Sequence, residues 1–429
     1  GPLLATSWHH ENETTWIFEL RDNILFSNGE PLNAAAAAAT INYLLSDEGR
    51  TFSAYRELRT VASASARNRL TLEVKTTQPD SMIPGRLAGV RILPPQYFAD
   101  VGPETFALEP HGTGPFMVER WKTGRASLIK NPNAWRPAQV DRIEYTAAPD
   151  STARIQALIS DAVDIAFDLG ATDIFQVERA GARVDYRTRA SVQMWQFVTE
   201  QESPLNDKRV RKALNYAVNI DVIVEALLQG IMYPASQVAA HGTFGFDDTL
   251  APYPYDPAKA RALLTEAGYP DGFSIPFQVA ASSAEEESVY IQVAQDLKHV
   301  GVDVELIRVP FTKQVQSVYG APWDGLAFNM NYGSLPSLDP LASMRYHSCL
   351  WPWPWICRQG IADRTLAADR EFNPDARRQI VRSILRDLHD DPPGIYLYEN
   401  VHVDGISNTV TTYEAPYGFI QYHTLELSD

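Results

Sequence analysis

The chain has 429 residues, 45% hydrophobic, 21% charged and 10% aromatic, an ordinary globular composition that excludes disordered, collagen-like and coiled-coil classes. Asp+Glu total 53 against Lys+Arg 37, a formal net charge of −16, and a surface that negative argues against nucleic-acid and membrane-surface roles. At roughly 100–200 residues per domain the length predicts about two to four units, and no apolar run reaches the roughly 18–20 residues of a membrane span. The start, Gly1-Pro2-Leu3-Leu4-Ala5, has no basic stretch followed by an apolar core, so no signal peptide is read there, and an exported protein would be seen in its mature form.

Thr15 to Arg21 alternates as a strand, Ile24-Leu25-Phe26 reads as another, and Asn28-Gly29-Glu30 turns after them, because glycine tolerates the positive φ of such turns. Asn33 through six alanines to Leu45 predicts a helix with Asn33 as N-cap. Leu70 to Val74 is strand-like, Pro94-Pro95 is a break, and His111-Gly112-Thr113-Gly114-Pro115-Phe116 is a turn-rich approach to a strand. Asp150 to Leu158 reads as helix and Asp161 to Phe167 as strand. Val192 to Val198 is a strand that runs into the polar Thr199 to Pro204, the best candidate for a domain crossing. Val210 to Val218 and Ile220 to Leu228 show helical spacing. Asp256-Pro257 opens a helix that Ala267-Gly268 stops. Glu285 to Val300 is helical, Val302 to Ile307 strand-like, and Arg377 to Leu388 a charged amphipathic helix. Strands alternating with helices over this length predict an α/β fold with mixed sheets.

Enzyme motifs are missing: there is no HExxH, GxSxG, Walker loop or CxxC pair. The two cysteines, Cys349 and Cys357, flank a loop in which Trp351, Trp353 and Trp355 alternate with Pro352 and Pro354. Two readings stay open for them: a disulfide, which implies an oxidising compartment, or two thiolates that join His347 as metal ligands. The prolines keep the loop extended and its indoles splayed. The indoles serve either as a core plug or as the wall of a ligand pocket.

Thr15-Trp16-Ile17-Phe18-Glu19-Leu20-Arg21-Asp22 together with Phe26-Ser27-Asn28-Gly29-Glu30-Pro31 resembles the signature of the solute-binding proteins that feed peptide and nickel ABC importers. Gly112 to Phe116, Val210 to Val218 and Tyr255 to Tyr269 are similar to further blocks of that family, in the right order over nearly the whole chain. Tyr332 to Pro340, with no acid ahead of Asp339, together with Leu341 to Arg345 and Gln359 to Asp363, resembles its nickel-binding branch. The resemblance implies a two-lobed periplasmic binding protein of the Venus-flytrap type with mixed sheets and a two-crossing hinge. The first lobe is expected to hold residues 1–199 and 412–429, the second 200–411.

It also implies site residues. Arg91 matches the anchor for ligand carboxylates, a role that suits a guanidinium fork. Tyr332 falls where the branch has a pocket tryptophan, and Arg50 lies near a second branch arginine, with Phe52 and Tyr55 as neighbouring aromatics. His347 would complete the metal, and Trp351, Trp353 and Trp355, on the pocket-wall reading of their own loop, would line the site. One imidazole cannot satisfy nickel, which takes four to six donors, so the expected ligand is nickel as a preformed chelate with a small carboxylate-bearing metallophore or histidine. No intrinsic cofactor is expected; the partners are the chelate and an inner-membrane ABC permease, and the protein would act as a monomer. The alternative is a peptide or opine binder of the same family without metal. Pro2 to Trp8 aligns with a block that follows a leading segment in the family, so that segment is expected to be missing here.

Overall fold

The structure, a computed structural model, describes residues 3–280 and 283–428; Gly1 and Pro2 of the opening segment lie outside the described residues. The early alternation builds a four-stranded antiparallel sheet from β1 (Ala5–Asn12), β2 (Thr15–Leu20), β3 (Val61–Ala66) and β4 (Thr71–Thr76), in the order β1-β2-β4-β3. Trp16, Phe18 and Val74 are buried in one core with helix Ala34–Leu45. Asn33 caps that helix as its side chain accepts the Ala36 N–H at 2.9 Å, and the methyl-sized Ala34, Ala36, Ala37 and Ala38 are all buried, so the helix lies close on the strands. Gly29 sits at φ +90°, the left-handed conformation the turn before this helix needs.

A three-stranded antiparallel sheet follows, β5 (Phe116–Lys122), β6 (Arg125–Lys130) and β7 (Arg142–Thr146). The large sheet is mixed: β8 (Ile165–Ala166), β9 (Arg183–Phe197), β10 (Tyr233–Pro234), β11 (Phe273–Val279), β12 (Val302–Arg308), β13 (Ala327–Gly333) and β14 (Gly394–Ile406). Its order is β10-β14-β9-β13-β11-β12, with β8 against β14. Strand β11 runs parallel to β12 and β13, and helices Ala284–Lys298 and Phe311–Val318 make the crossovers such pairing requires. On one face Trp195 stacks on Phe277 at 3.8 Å over Tyr290. On the other, Val192, Met194 and Tyr332 pack with helices Gln359–Arg370 and Pro374–Asp390. This core and the core of the first sheet are separate clusters.

Strands β9 and β14 pair from Gly394 opposite Gln196 to Ile406 opposite Arg183. The ribbon breaks register between Glu399 and Val401, and Ala190 on the facing strand stands at φ +49°. Three local expectations are corrected. Ile24 to Phe26 is a single bridge between Leu25 and Pro31 rather than a strand, because the turn closes at once. The strand expected over Asp161 to Phe167 reduces to Ile165–Ala166, since only the far end of β14 is left to pair with. Pro94-Pro95 opens helix Pro95–Leu108, where proline in the first turn loses no hydrogen bond.

Candidate functional site

One cleft lies between the two cores. One wall is the 3₁₀ turn Ser53–Leu58, anchored by Leu58, and helix Ile83–Leu87, anchored by Ile83; both anchors are fully buried in the first core. This wall presents Arg56, Glu57, Arg59, Met82 and Arg86 to a cavity of about 170 Å³. The other wall is the segment after β13 and the short helix Leu341–Met344, anchored by Leu341 and Met344 in the second core. It contributes Ser337, Asp339, Ser343, Arg345 and Tyr346, and helix Gln359–Arg370 adds Asp369.

Several of these charges are paired, and one pair, Arg86 with Asp369, joins the two walls. Buried Asp80 accepts from Arg86 Nη1 at 2.7 Å and from the Met82 N–H at 2.9 Å, and Thr60 closes on it as well. Arg86 Nη2 reaches Asp369 at 3.3 Å, and Asp369 is also in contact with Arg345. Asp339 is held by Arg377 at 2.5 Å, and the Ser81 N–H donates to the Asp369 carbonyl at 2.7 Å. Burial, with the Arg86 and Arg59 cations nearby, pushes Arg345 down to about 9, and Asp80 and Asp339 oppose that shift. Burial and Arg86 likewise hold Arg59 below the ordinary arginine range. Arg56 donates to the Tyr346 hydroxyl at 3.3 Å and lies over the Tyr319 ring at 4.9 Å. The cavity is thus lined by four guanidinium groups and three carboxylates, and among the described residues Arg56 and Arg59 have no carboxylate within ion-pair distance.

The residues singled out in the sequence separate into groups. Arg91 is exposed, donates to the Ala88 carbonyl at 3.3 Å, and lines a different hollow of about 540 Å³ with Trp8, Trp135 and Tyr422. Residues Met82 and Arg86 face the cleft while Pro84, Leu87 and Ala88 face this apolar hollow, so the 82–91 segment divides the two. Arg50 is exposed, 3.8 Å from Asp47 and 5.6 Å from the Tyr55 ring. Tyr55 packs on the first core, and Phe52 is 43% exposed beside Tyr43.

Tyr332 and His347 come together, but inside. Tyr332 is 1% exposed and stacks on the His347 imidazole at 3.6 Å, with Trp355 edge-on to that imidazole at 5.0 Å. Neither His347 nitrogen and not the Tyr332 hydroxyl has a hydrogen-bond partner among the described residues. Burial drives His347 well below the usual histidine range. Among the described residues no group of three or more His, Cys, Asp or Glu side chains could hold a metal ion.

Cys349 and Cys357 form a disulfide, which settles the two open readings against thiolate ligands. The three indoles divide. Trp355 is core, packed on Phe328 and Trp323. Trp351 is half-buried, donates Nε1–H to the Val318 carbonyl at 2.7 Å and backs Tyr346 and Tyr319. Trp353 is 48% exposed. The cleft residues that sequence reasoning missed are Arg56, Arg59, Arg86 and Asp369. The signal for the first two was the three-residue spacing in Tyr55-Arg56-Glu57-Leu58-Arg59, which brings both guanidinium groups to one side of a 3₁₀ turn.

Known proteins place this geometry. Residues 1–349 match the family described as bacterial extracellular solute-binding proteins, family 5 Middle. The nickel-binding periplasmic protein of Escherichia coli K12 is 29% identical over 433 residues, covering 92% of this chain and 80% of that protein. The glutathione-binding protein GsiB of the same strain is 27% identical, covering 82% of this chain and 70% of its own. The structure of NikA from Brucella suis in complex with Fe(III)-EDTA superposes with a TM-score of 0.86 at 22% identity, over 100% of this chain and 91% of that one. Such relatives are solute-binding proteins and not enzymes, and a periplasmic location is expected. The two-walled cleft, the mixed α/β architecture and the match over most of the chain together make this protein a member of family 5 of the bacterial extracellular solute-binding proteins, the substrate-binding components of ABC importers.

Proposed function

We propose that the protein captures a small carboxylate-bearing solute in the cleft between the two cores and delivers it to an inner-membrane permease. The favoured solute is nickel held as a preformed chelate with a metallophore or histidine. The observation that carries the reading is the cavity lined by Arg56 and Arg59, whose guanidinium groups have no carboxylate within ion-pair distance among the described residues. The 29% identity to a nickel-binding periplasmic protein supports the metal. A chelate brings most donors with it, so the protein need add few. The second reading, a metal-free peptide, glutathione-like or opine solute, is favoured by one observation. His347 lies shut behind Tyr332 and Trp355, so it must be uncovered before it can touch a metal.

The proposed lobes are the expected ones, with the crossings moved to the break in the β9–β14 ribbon at Ala190 and Asn400. A solute that contacts both walls favours the closed arrangement, which is how binding would drive closure. Calorimetric titration with Ni²⁺, alone and with excess histidine, tests the metal. Binding only with histidine supports the chelate. Binding of glutathione with no response to nickel in either form overturns the metal and leaves the carboxylate reading.

A further inference from the structure

The two walls also meet beside the cavity, through an aromatic contact. Helices Gln359–Arg370 and Pro374–Asp390 are both anchored in the second core, by Ala368 and by Val381. The short bend between them is braced on itself. The Glu371 carboxylate accepts the Asn373 N–H at 2.7 Å, and the Asn373 side chain caps the second helix by accepting from the Asp375 and Ala376 N–H groups, both at 3.0 Å. From this bend the half-buried Phe372 packs against the first core, its ring 4.5 Å from the His10 ring and 6.0 Å from the Trp16 ring. The receiving rings are held as well. Buried Trp16 donates Nε1–H to the Asp80 carbonyl at 2.9 Å, and His10 stands edge-on to it at 5.4 Å. Polar bonds flank the aromatic contact: the Ser81 N–H donates to the Asp369 carbonyl at 2.7 Å, and Arg370 donates to the Gln78 side-chain oxygen at 3.2 Å.

Resting on the cleft reading above, we propose that Phe372 is a latch between the lobes. It seats on Trp16 and His10 when the cleft closes, leaves them when it opens, and so sets how much of the solute-free protein is closed. Neither Phe372 nor Arg370 lines the cavity, so their contribution falls on closure and not on contact with a solute. Bend and socket are each held in place by their own lobe, so the contact forms with little further loss of side-chain freedom. Ring-on-ring packing of this kind also buries apolar surface that opening returns to water. A solute that touches both walls binds the closed form best, so whatever raises the closed fraction tightens binding. The latch thereby tunes affinity for every solute the cleft accepts without choosing among them.

The test uses the whole chain. Small-angle X-ray scattering gives the radius of gyration of the solute-free parent, Phe372→Ala, Phe372→Tyr and Arg370→Ala, with each melting temperature as the check on folding. Calorimetry with the 1:2 nickel–L-histidine complex and with glutathione gives affinity. The expected result is a larger radius for Phe372→Ala, a smaller change in the same direction for Arg370→Ala, and a parent-like radius for Phe372→Tyr, which keeps the ring. Whichever probe the parent binds should bind Phe372→Ala about tenfold or more weakly, and by the same factor if both bind. A parent-like radius in a folded Phe372→Ala overturns the latch. Should that variant not fold, a parent-like radius in Arg370→Ala, where the altered side chain is exposed, overturns it instead. Unchanged affinity in an opened Phe372→Ala overturns the link from closure to binding. A parent that takes up neither probe overturns the solutes proposed for the cleft, while the scattering of the solute-free proteins still decides the latch.

Discussion

Replacing His347 with leucine isolates the titration of one buried imidazole. Leucine is of similar volume, so it keeps the space beneath Tyr332 filled while removing the two unbonded nitrogens. The imidazole's folded-state value lies well below its ordinary 6.5 because burial disfavours the cation. The unfolded chain therefore binds more protons than the folded one below about 6.5, and stability falls as the pH falls through that value. With a folded state that stays neutral, this one group removes about 2.1 kcal/mol at pH 5 and about 0.2 kcal/mol at pH 7, a difference of up to about 1.9 kcal/mol. Urea unfolding followed by tryptophan fluorescence at pH 7, 6 and 5 reads it in parent and His347→Leu. All other titrating groups are common to both proteins, so the gap between them should widen in favour of the variant as the pH drops. The lost contact of the imidazole with Tyr332 shifts the variant by a constant at every pH and does not mimic that slope. Parallel pH profiles would refute the reasoning, because they would mean an imidazole that titrates freely in the folded protein.

Three further outcomes are expected. Arg86→Gln leaves Asp80, which is fully buried, without its guanidinium, and should lower urea-unfolding stability by about 3–5 kcal/mol. Trp355→Ala should cost about 3–5 kcal/mol, whereas Trp353→Ala should stay within about 0.5 kcal/mol, a contrast that unfolding midpoints measure directly. Replacing Cys349 and Cys357 together with serine opens a short loop and should cost about 2–3 kcal/mol on the chain-entropy account, seen as a lower melting temperature.

The elements most legible in the sequence were those whose local chemistry acts alone. The Asn33 cap, the Asp256-Pro257 opening and the glycine stop at Gly268, φ +96°, appear where the residue types put them. The strands after Phe116 and around Val192 were visible as well, yet not the length of β9, which reaches back to Arg183. Its first half alternates exposed polar residues and reads as strand only once β14 is beside it. The aromatic loop was visible as a unit, but the division of its indoles into core, backing and exposed rings depends on Val318, Phe328 and Tyr346, which are remote in sequence or set by tertiary contact. Likewise Arg86 and Asp369 are 283 residues apart, and no local pattern announces that they meet.

The overall charge and the cleft then pull in opposite directions, and distance decides between them. A net charge of −16 opposes the approach of an anion from afar, but beyond a Debye length of about 8–10 Å salt screens most of that repulsion. A solute in the cleft would lie in the cavity that Arg56 and Arg59 line, partly shielded from water by both walls, where Coulomb attraction falls off far less. The acidic surface therefore says little about what binds in the cavity. It disfavours extended polyanions, which must lie across many surface carboxylates at once, and leaves room for a small anion that fits wholly within the cleft. The pairing of Arg86 and Arg345 with Asp369 sharpens this further. It ties down the cations that hold the walls together, so that the attraction left for a solute comes chiefly from Arg56 and Arg59, which have no carboxylate within ion-pair distance among the described residues.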